Sequence, residues 1–217
     1  MRSTPQSGKT SLAQRAALEL EHRLVTLQYP PGSLLQEQRL VEDFGLGRTP
    51  VREAVLQIAR TGLLNVLPRK GLMVAPVSRE ELLQVLEARR VLERLLVVKA
   101  AERASAEQRE ALRRLATRMA EIGSDVDAYF RIDVELDRLL ERCCGNRYLV
   151  HALAPLHAHC RRLWYLVSGQ MDVQEAVGLH ISLTNAVADQ DGSGAIRSLN
   201  GIIAILDKQL GALDAIS

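Results

Sequence analysis

The sequence predicts a mainly α-helical chain in two parts: three short helices with a small β-hairpin, then an antiparallel bundle of six helices. Three observations lead there. Apolar residues recur at spacings of three and four along most of the 217 residues, the period of a half-buried helix. Two short apolar runs, Leu63–Leu67 and Leu72–Val77, break that period and flank Pro68-Arg69-Lys70-Gly71, a hairpin tip. From Ser78 onward the strand signal is gone, and Gly123, Gly145, Gly169 and Gly192 punctuate helices expected near 79–104, 107–122, 125–144, 147–168, 172–190 and 194–214.

The elements follow in order. Residues 1–10, rich in Ser, Thr, Pro and Gly, read as a disordered tail. A helix spans about Leu12 to Leu27, with Leu20, Leu24 and Leu27 on one face, and Tyr29-Pro30-Pro31-Gly32 stops it. A second covers Gln36 to Phe44, and Gly45-Leu46-Gly47 makes a tight turn. A third starts at Thr49, a side chain able to cap it, with Pro50 at the first helical position and Gly62 placed to end it. Its inner stripe is Val51, Val55 and Ile58. Three helices followed by a hairpin outline a winged helix-turn-helix over residues 11–77. In the second part, Ser78-Arg79-Glu80-Glu81 and Ser105-Ala106-Glu107-Gln108 are capping boxes. The last helix carries Ile196, Leu199, Ile203, Leu206, Leu210 and Leu213, a seam for sister helices or a second subunit.

Composition sets the class. The chain is 47% hydrophobic and 25% charged, as ordinary globular domains are, with no continuous apolar run of membrane-spanning length and no secretory leader. Cys143, Cys144 and Cys160 fit neither a disulfide framework nor a zinc-finger spacing, and read as reduced core thiols of a cytoplasmic protein. The net charge of +2 divides unevenly, at +4 over residues 1–77 and −2 over 78–217. A basic front suits a part that meets phosphate.

With its apolar stripe turned inward, the third helix keeps Arg48, Thr49 and Arg52 outside, at the N-terminal end that a recognition helix presents to a major groove. Arginine bridges guanine O6 and N7, and threonine reaches phosphate or a thymine methyl. Arg69 and Lys70 at the hairpin tip stand ready for a neighbouring groove or backbone. Two arginines on a helix are ordinarily a solvated face; their position between a glycine turn and a basic hairpin is what points to DNA.

The segments Tyr29-Pro30-Pro31-Gly32-Ser33-Leu34-Leu35-Gln36-Glu37, Gly45-Leu46-Gly47-Arg48-Thr49-Pro50-Val51-Arg52-Glu53-Ala54, Thr61-Gly62-Leu63-Leu64 and Pro68-Arg69-Lys70-Gly71 resemble the winged helix of GntR-family transcription regulators. The resemblance implies that Arg48, Thr49, Arg52 and the wing Gly71 approach DNA. Where the family usually has arginine after the residue matching Glu37, Gln38 stands here; it can still hydrogen-bond phosphate or adenine, but with one charge fewer the salt dependence of binding should be shallower.

Within a second domain over 78–217, residues 79–214 resemble the six-helix FadR-type effector domain, the FCD class, on Arg89-Arg90-Val91-Leu92-Glu93, on Asp133 before Gly145-Asn146, and on His180 with Ala186 and Asp191. Arg89 shares an apolar stripe with Val85, Leu92 and Leu96, and a buried arginine needs an anion. That anion is either an internal partner, for example Asp133 or Asp137, or a ligand carboxylate. Asp133 and Asp137 share an inward stripe with Val126, Phe130 and Leu140; His180 shares one with Val173, Val177, Thr184 and Val187. The effector-binding set is therefore Arg89, Asp133, Asp137 and His180. The resemblance also implies a metal, such as Zn, Ni or Mn, on one Asp and three His. Asp133 and His180 match two of these, Asp137 replaces a third, and Ile202 stands at the fourth and cannot ligate. The alternatives are an altered metal site on Asp133, Asp137 and His180, or a polar pocket anchored by Arg89 and His180. His157 and His159, two apart on a helix, cannot face each other, and one of Arg161 and Arg162 lines the pocket. A metal-dependent enzyme would have to rest on the same three residues, without a nucleophile or a phosphate loop; an architectural DNA binder would lack a ligand. The expected protein is a homodimeric, non-enzymatic, cytoplasmic regulator that binds operator DNA and answers to a small carboxylate; it is a repressor if the ligand releases DNA, as is usual in such families, and the sequence leaves repressor and activator open.

Overall fold

The computed structural model describes residues 11–123, 125–167 and 172–213, so the expected tail at 1–10 and the break at Gly169 lie outside the described residues. The chain forms two compact units that divide between Pro76 and Val77.

The first unit holds α1 (Leu12–Val25), β1 (Leu34–Leu35), α2 (Glu37–Phe44), α3 (Arg48–Ala59), β2 (Leu64–Leu67) and β3 (Gly71–Val74). Ser11 and Gln14 close a capping box at the start of α1. The helix ends at Val25, two residues before the expected limit, and Leu27 takes a positive φ of 61° in the turn that follows. Leu20, Leu24, Leu40, Val51, Ala54, Val55 and Ile58 bury together as the trihelical core. The antiparallel sheet has the order β1-β3-β2, with Leu34 opposite Met73 and Leu64 opposite Val74. β1 is too short to carry a periodicity, which is why the sequence predicts a two-stranded hairpin and the structure has three strands.

Gly71 is where this sheet tolerates only glycine. Its φ is +98°, and a Cβ there would stand 2.8 Å from the carbonyl oxygen of Leu35. Gly71→Ala should therefore cost roughly 1–3 kcal/mol locally. The check is amide exchange across β1 and β3, which is expected to accelerate while the amides of α1 and α3 keep their protection.

The second unit is the six-helix bundle: α4 (Arg79–Arg103), α5 (Ala106–Ala120), α6 (Val126–Cys144), α7 (Arg147–Val167), α8 (Val173–Ala188) and α9 (Gly192–Leu213). Ser105 and Gln108 form the expected capping box; Ser78 accepts from the amide of Glu81 while its own hydroxyl donates to Glu80. Leu96, Leu112, Leu136, Leu153, Leu163, Leu199, Leu206 and Leu210 lie in one core. All three cysteines are buried and unbridged. No helix among the described residues is long and apolar enough to cross a membrane.

Candidate functional site

The surface candidate is the front of α3. Gly45 ends α2 in the left-handed conformation at φ 61°, and Gly47 is the extended N-cap of α3. The cap is therefore Gly47 rather than Thr49 and the first helical residue Arg48 rather than Pro50, so Thr49 lies inside the first turn and does not cap it. Gly47 offers no side-chain cap, and Pro50 in the first turn removes a donor where none is needed. Arg48, Thr49 and Arg52 are all exposed, while Val51, Ala54, Val55 and Ile58 hold the opposite face in the core. Arg48, Thr49, Arg52 and Leu56 line one groove with Glu37. Gln38 is exposed on α2 and is tied to this end: its Oε1 accepts from Arg48 Nη2 at 3.4 Å, and its Nε2 donates to Glu42 at 3.0 Å. Arg69 and Lys70 are exposed at the hairpin tip, where Arg69 takes φ 62° and Gln36 donates to the carbonyl of Lys70 at 3.4 Å.

The second candidate is a cluster of charges inside the bundle. Arg89 on α4 is buried and bonds Glu93 one turn on through both Nε and Nη2, the latter at 3.1 Å. On α6, Asp133 and Asp137 both accept from Arg161 of α7, from Nε at 2.9 Å and from Nη2 respectively. His157 lies one turn before Arg161, with Nδ1 3.0 Å from Asp137 and Nε2 3.5 Å from Glu93. On α8, His180 Nε2 is 3.4 Å from Asp133, Nδ1 is 2.8 Å from the carbonyl of Ala176, and the ring meets Tyr129 edge-on. Arg89, Asp133, Asp137, His157, Arg161 and His180 line a void of about 10 Å³, about the space of one water, with Ile202 in its wall.

Burial alone would discharge every group here, and the partners reverse that. Desolvation raises the Glu93 carboxyl, but Arg89 and His157 outweigh it and hold it at about 2. Desolvation lowers the His157 imidazole, but Asp137 and Glu93 hold it up at about 9. His180 is likewise raised by Asp133 against desolvation, and Asp133 itself is pushed well below the usual carboxylate range by His180 and Arg161. The cluster is a network of ions, each dependent on the next.

A family model described as bacterial regulatory proteins, gntR family, matches residues 12–74, and the FCD domain model matches residues 84–204, more than half of the chain. The chain belongs to the GntR family of transcription regulators. The HTH-type transcriptional regulator YieP of Escherichia coli is 26% identical over 93% of this chain and 96% of its own length. The HTH-type transcriptional repressor GlaR, from the same organism, is 28% identical over 81% of this chain and 85% of its own. Among solved structures, McbR/YncC of E. coli superposes with a TM-score of 0.81 at 22% identity, covering 93% of this chain and 99% of that one. At that identity the likeness speaks for the fold: a winged helix-turn-helix followed by an FCD helical bundle.

As a GntR regulator with an FCD domain, the chain is a DNA-binding protein rather than an enzyme. The two parts of the effector set come together differently from the sequence expectation. Arg89 meets neither Asp133 nor Asp137 but Glu93, and Arg161 joins the two aspartates. Asp133 and His180 are neighbours as expected, whereas among the described residues the buried group whose ligand atoms lie within 4.8 Å of one another is Glu93, Asp137 and His157. Sequence reasoning missed Glu93 and His157. The signals were present: Glu93 is four residues from Arg89, and His157 is four from Arg161, so each pair shares a helix face. Setting His157 aside because it cannot face His159 overlooked that it can face inward alone.

Proposed function

We propose that this GntR regulator is a homodimeric repressor whose two winged helices read an inverted repeat, and that a small organic acid bound in the FCD domain alters its operator affinity. Arg48, Thr49 and Arg52 contact bases, Gln38 supports Arg48, and Arg69, Lys70 and Gly71 meet the neighbouring backbone or groove. The repressor sign follows the printed name of GlaR. Arg89, Asp133, Asp137 and His180 form the effector pocket, extended by Glu93, His157 and Arg161.

The observation that carries the ligand reading is the buried ion network around so small a void. An incoming carboxylate would compete with Glu93 for the planar fork of Arg89, or with Asp137 for Arg161. Room for it comes only if the helices part, so binding and bundle shape are linked. A ligand that favours one shape changes operator affinity by its differential affinity for the two, typically 5–150-fold.

A test uses a duplex selected by the protein from a random DNA pool and labelled for anisotropy. Monocarboxylates and dicarboxylates of two to six carbons are first screened by thermal shift. At least one is expected to raise Tm and to change the duplex Kd more than about 5-fold. Stabilisation by none of them, with DNA binding intact, would contradict the effector half of the proposal and leave the DNA half standing.

A further inference from the structure

We infer that the guanidinium of Arg161 is the resident cation of the buried cluster and stands where a divalent metal ion would have to bind. The inference concerns the same pocket as the proposed effector site but does not depend on an effector. Asp133 and Asp137, one turn apart on α6, would repel each other inside the bundle without a cation between them. Arg161 spans them: Nε donates to Asp133 Oδ2 at 2.9 Å and Nη2 donates to Asp137 Oδ2. Arginine keeps its charge at every accessible pH, and its planar fork suits two carboxylates at once.

The aspartate oxygens that face the guanidinium are thus already engaged. Asp137 Oδ2 serves both Arg161 and His157 Nδ1, the latter at 3.0 Å. The other candidate group, Glu93 with Asp137 and His157, fares no better, because Arg89 bonds both oxygens of Glu93. A metal ligand must offer a free lone pair, and a divalent ion placed here would face two fixed guanidinium charges. Ile202, in the wall of the void, contributes no donor. The three carboxylates Glu93, Asp133 and Asp137 are answered by Arg89, Arg161 and the flanking histidines without any ion.

Removing the guanidinium should turn the cluster into a metal site. His180 keeps its Nδ1 at the carbonyl of Ala176, which leaves Nε2 directed at Asp133, while Asp137 and His157 remain alongside. The experiment takes full-length protein stripped with EDTA, incubates it separately with ZnCl₂, NiCl₂ and MnCl₂, desalts it, and measures metal per chain by mass spectrometry alongside Tm. Wild type is expected to retain less than about 0.1 ion per chain and to show no metal-dependent Tm. Arg161→Ala is expected to retain close to one ion of at least one metal, with Tm raised by it. Should Arg161→Ala not fold, Arg161→His, which puts a nitrogen ligand in the same place, is refolded with and without metal and is expected to fold with metal bound. Wild type holding about one ion per chain after desalting would overturn the inference. So would folded variants that hold no more metal than wild type. Operator binding, measured on the same samples, reports separately on the proposed function.

Discussion

Arg89→Ala is expected to destabilise the FCD bundle by roughly 3–5 kcal/mol, the cost of removing one member of a buried ion pair. Glu93 is 3% exposed, and Arg89 holds both of its oxygens. Without the guanidinium, the carboxylate keeps His157, at 3.5 Å, as its remaining cationic partner among the described residues, and its affinity for a proton must rise. The loss should therefore be smaller at acid pH, where Glu93 can be neutralised. Trp164, the single tryptophan, is buried in this unit, so its fluorescence in a urea titration follows the bundle directly. The double variant Arg89→Met, Glu93→Leu removes both charges together and is expected to recover a large part of the loss. An Arg89→Ala protein within about 1 kcal/mol of wild type would mean that the network is not a cooperative unit.

The second large effect is a dependence of stability on pH that carries the signature of His157. Its pKa rises from an ordinary 6.5 to about 9 in the fold, because Asp137 and Glu93 overcome its burial. A raised folded-state value means that the contribution is complete below the unfolded pKa and is lost as pH climbs through the folded one. Between pH 6.5 and about 9 the bundle should thus lose stability, on the order of 3 kcal/mol in all. His180 adds a loss of the same sign on the alkaline side. Glu93 acts oppositely: its value falls from 4.5 to about 2, so its contribution is present above 4.5 and disappears as pH drops towards 2. Urea midpoints read at Trp164 should plateau in mildly acid buffer and decline on either side. His157→Gln should flatten the alkaline limb; an unchanged limb in that variant would assign the titration elsewhere.

Much of this architecture was legible in the sequence because it rests on local rules. The stripe Val51, Val55, Ile58 and the turn Gly45-Leu46-Gly47 fix α2 and α3, and all three stripe residues are buried. In the last helix, Leu199, Ile203, Leu206 and Leu210 bury as their spacing predicts. What the sequence hid was the pairing of groups across helices. Arg89 needed an anion, and that much follows from its stripe; which carboxylate answers depends on side-chain reach, and the answer was its own neighbour one turn on. Arg161 and Arg162 are adjacent, and helix rotation decides which of them meets α6. The start of α3 lies two residues before the position that the sequence suggests, because Thr49 is a good capping residue, whereas the extended Gly47 occupies the cap position without a side chain to bond.

The recognition role of the α3 front is tested most directly by comparing wild type with Arg52→Ala on the pool-selected duplex and on a scrambled duplex of the same length. Arg52 is exposed and lies outside the core face, so circular dichroism and Tm should not change. Specific binding is expected to weaken by about 10–100-fold, with much less change on the scrambled duplex, as for a lost base contact. Equal affinity of the two proteins for the selected duplex would contradict the placing of Arg52 in the groove.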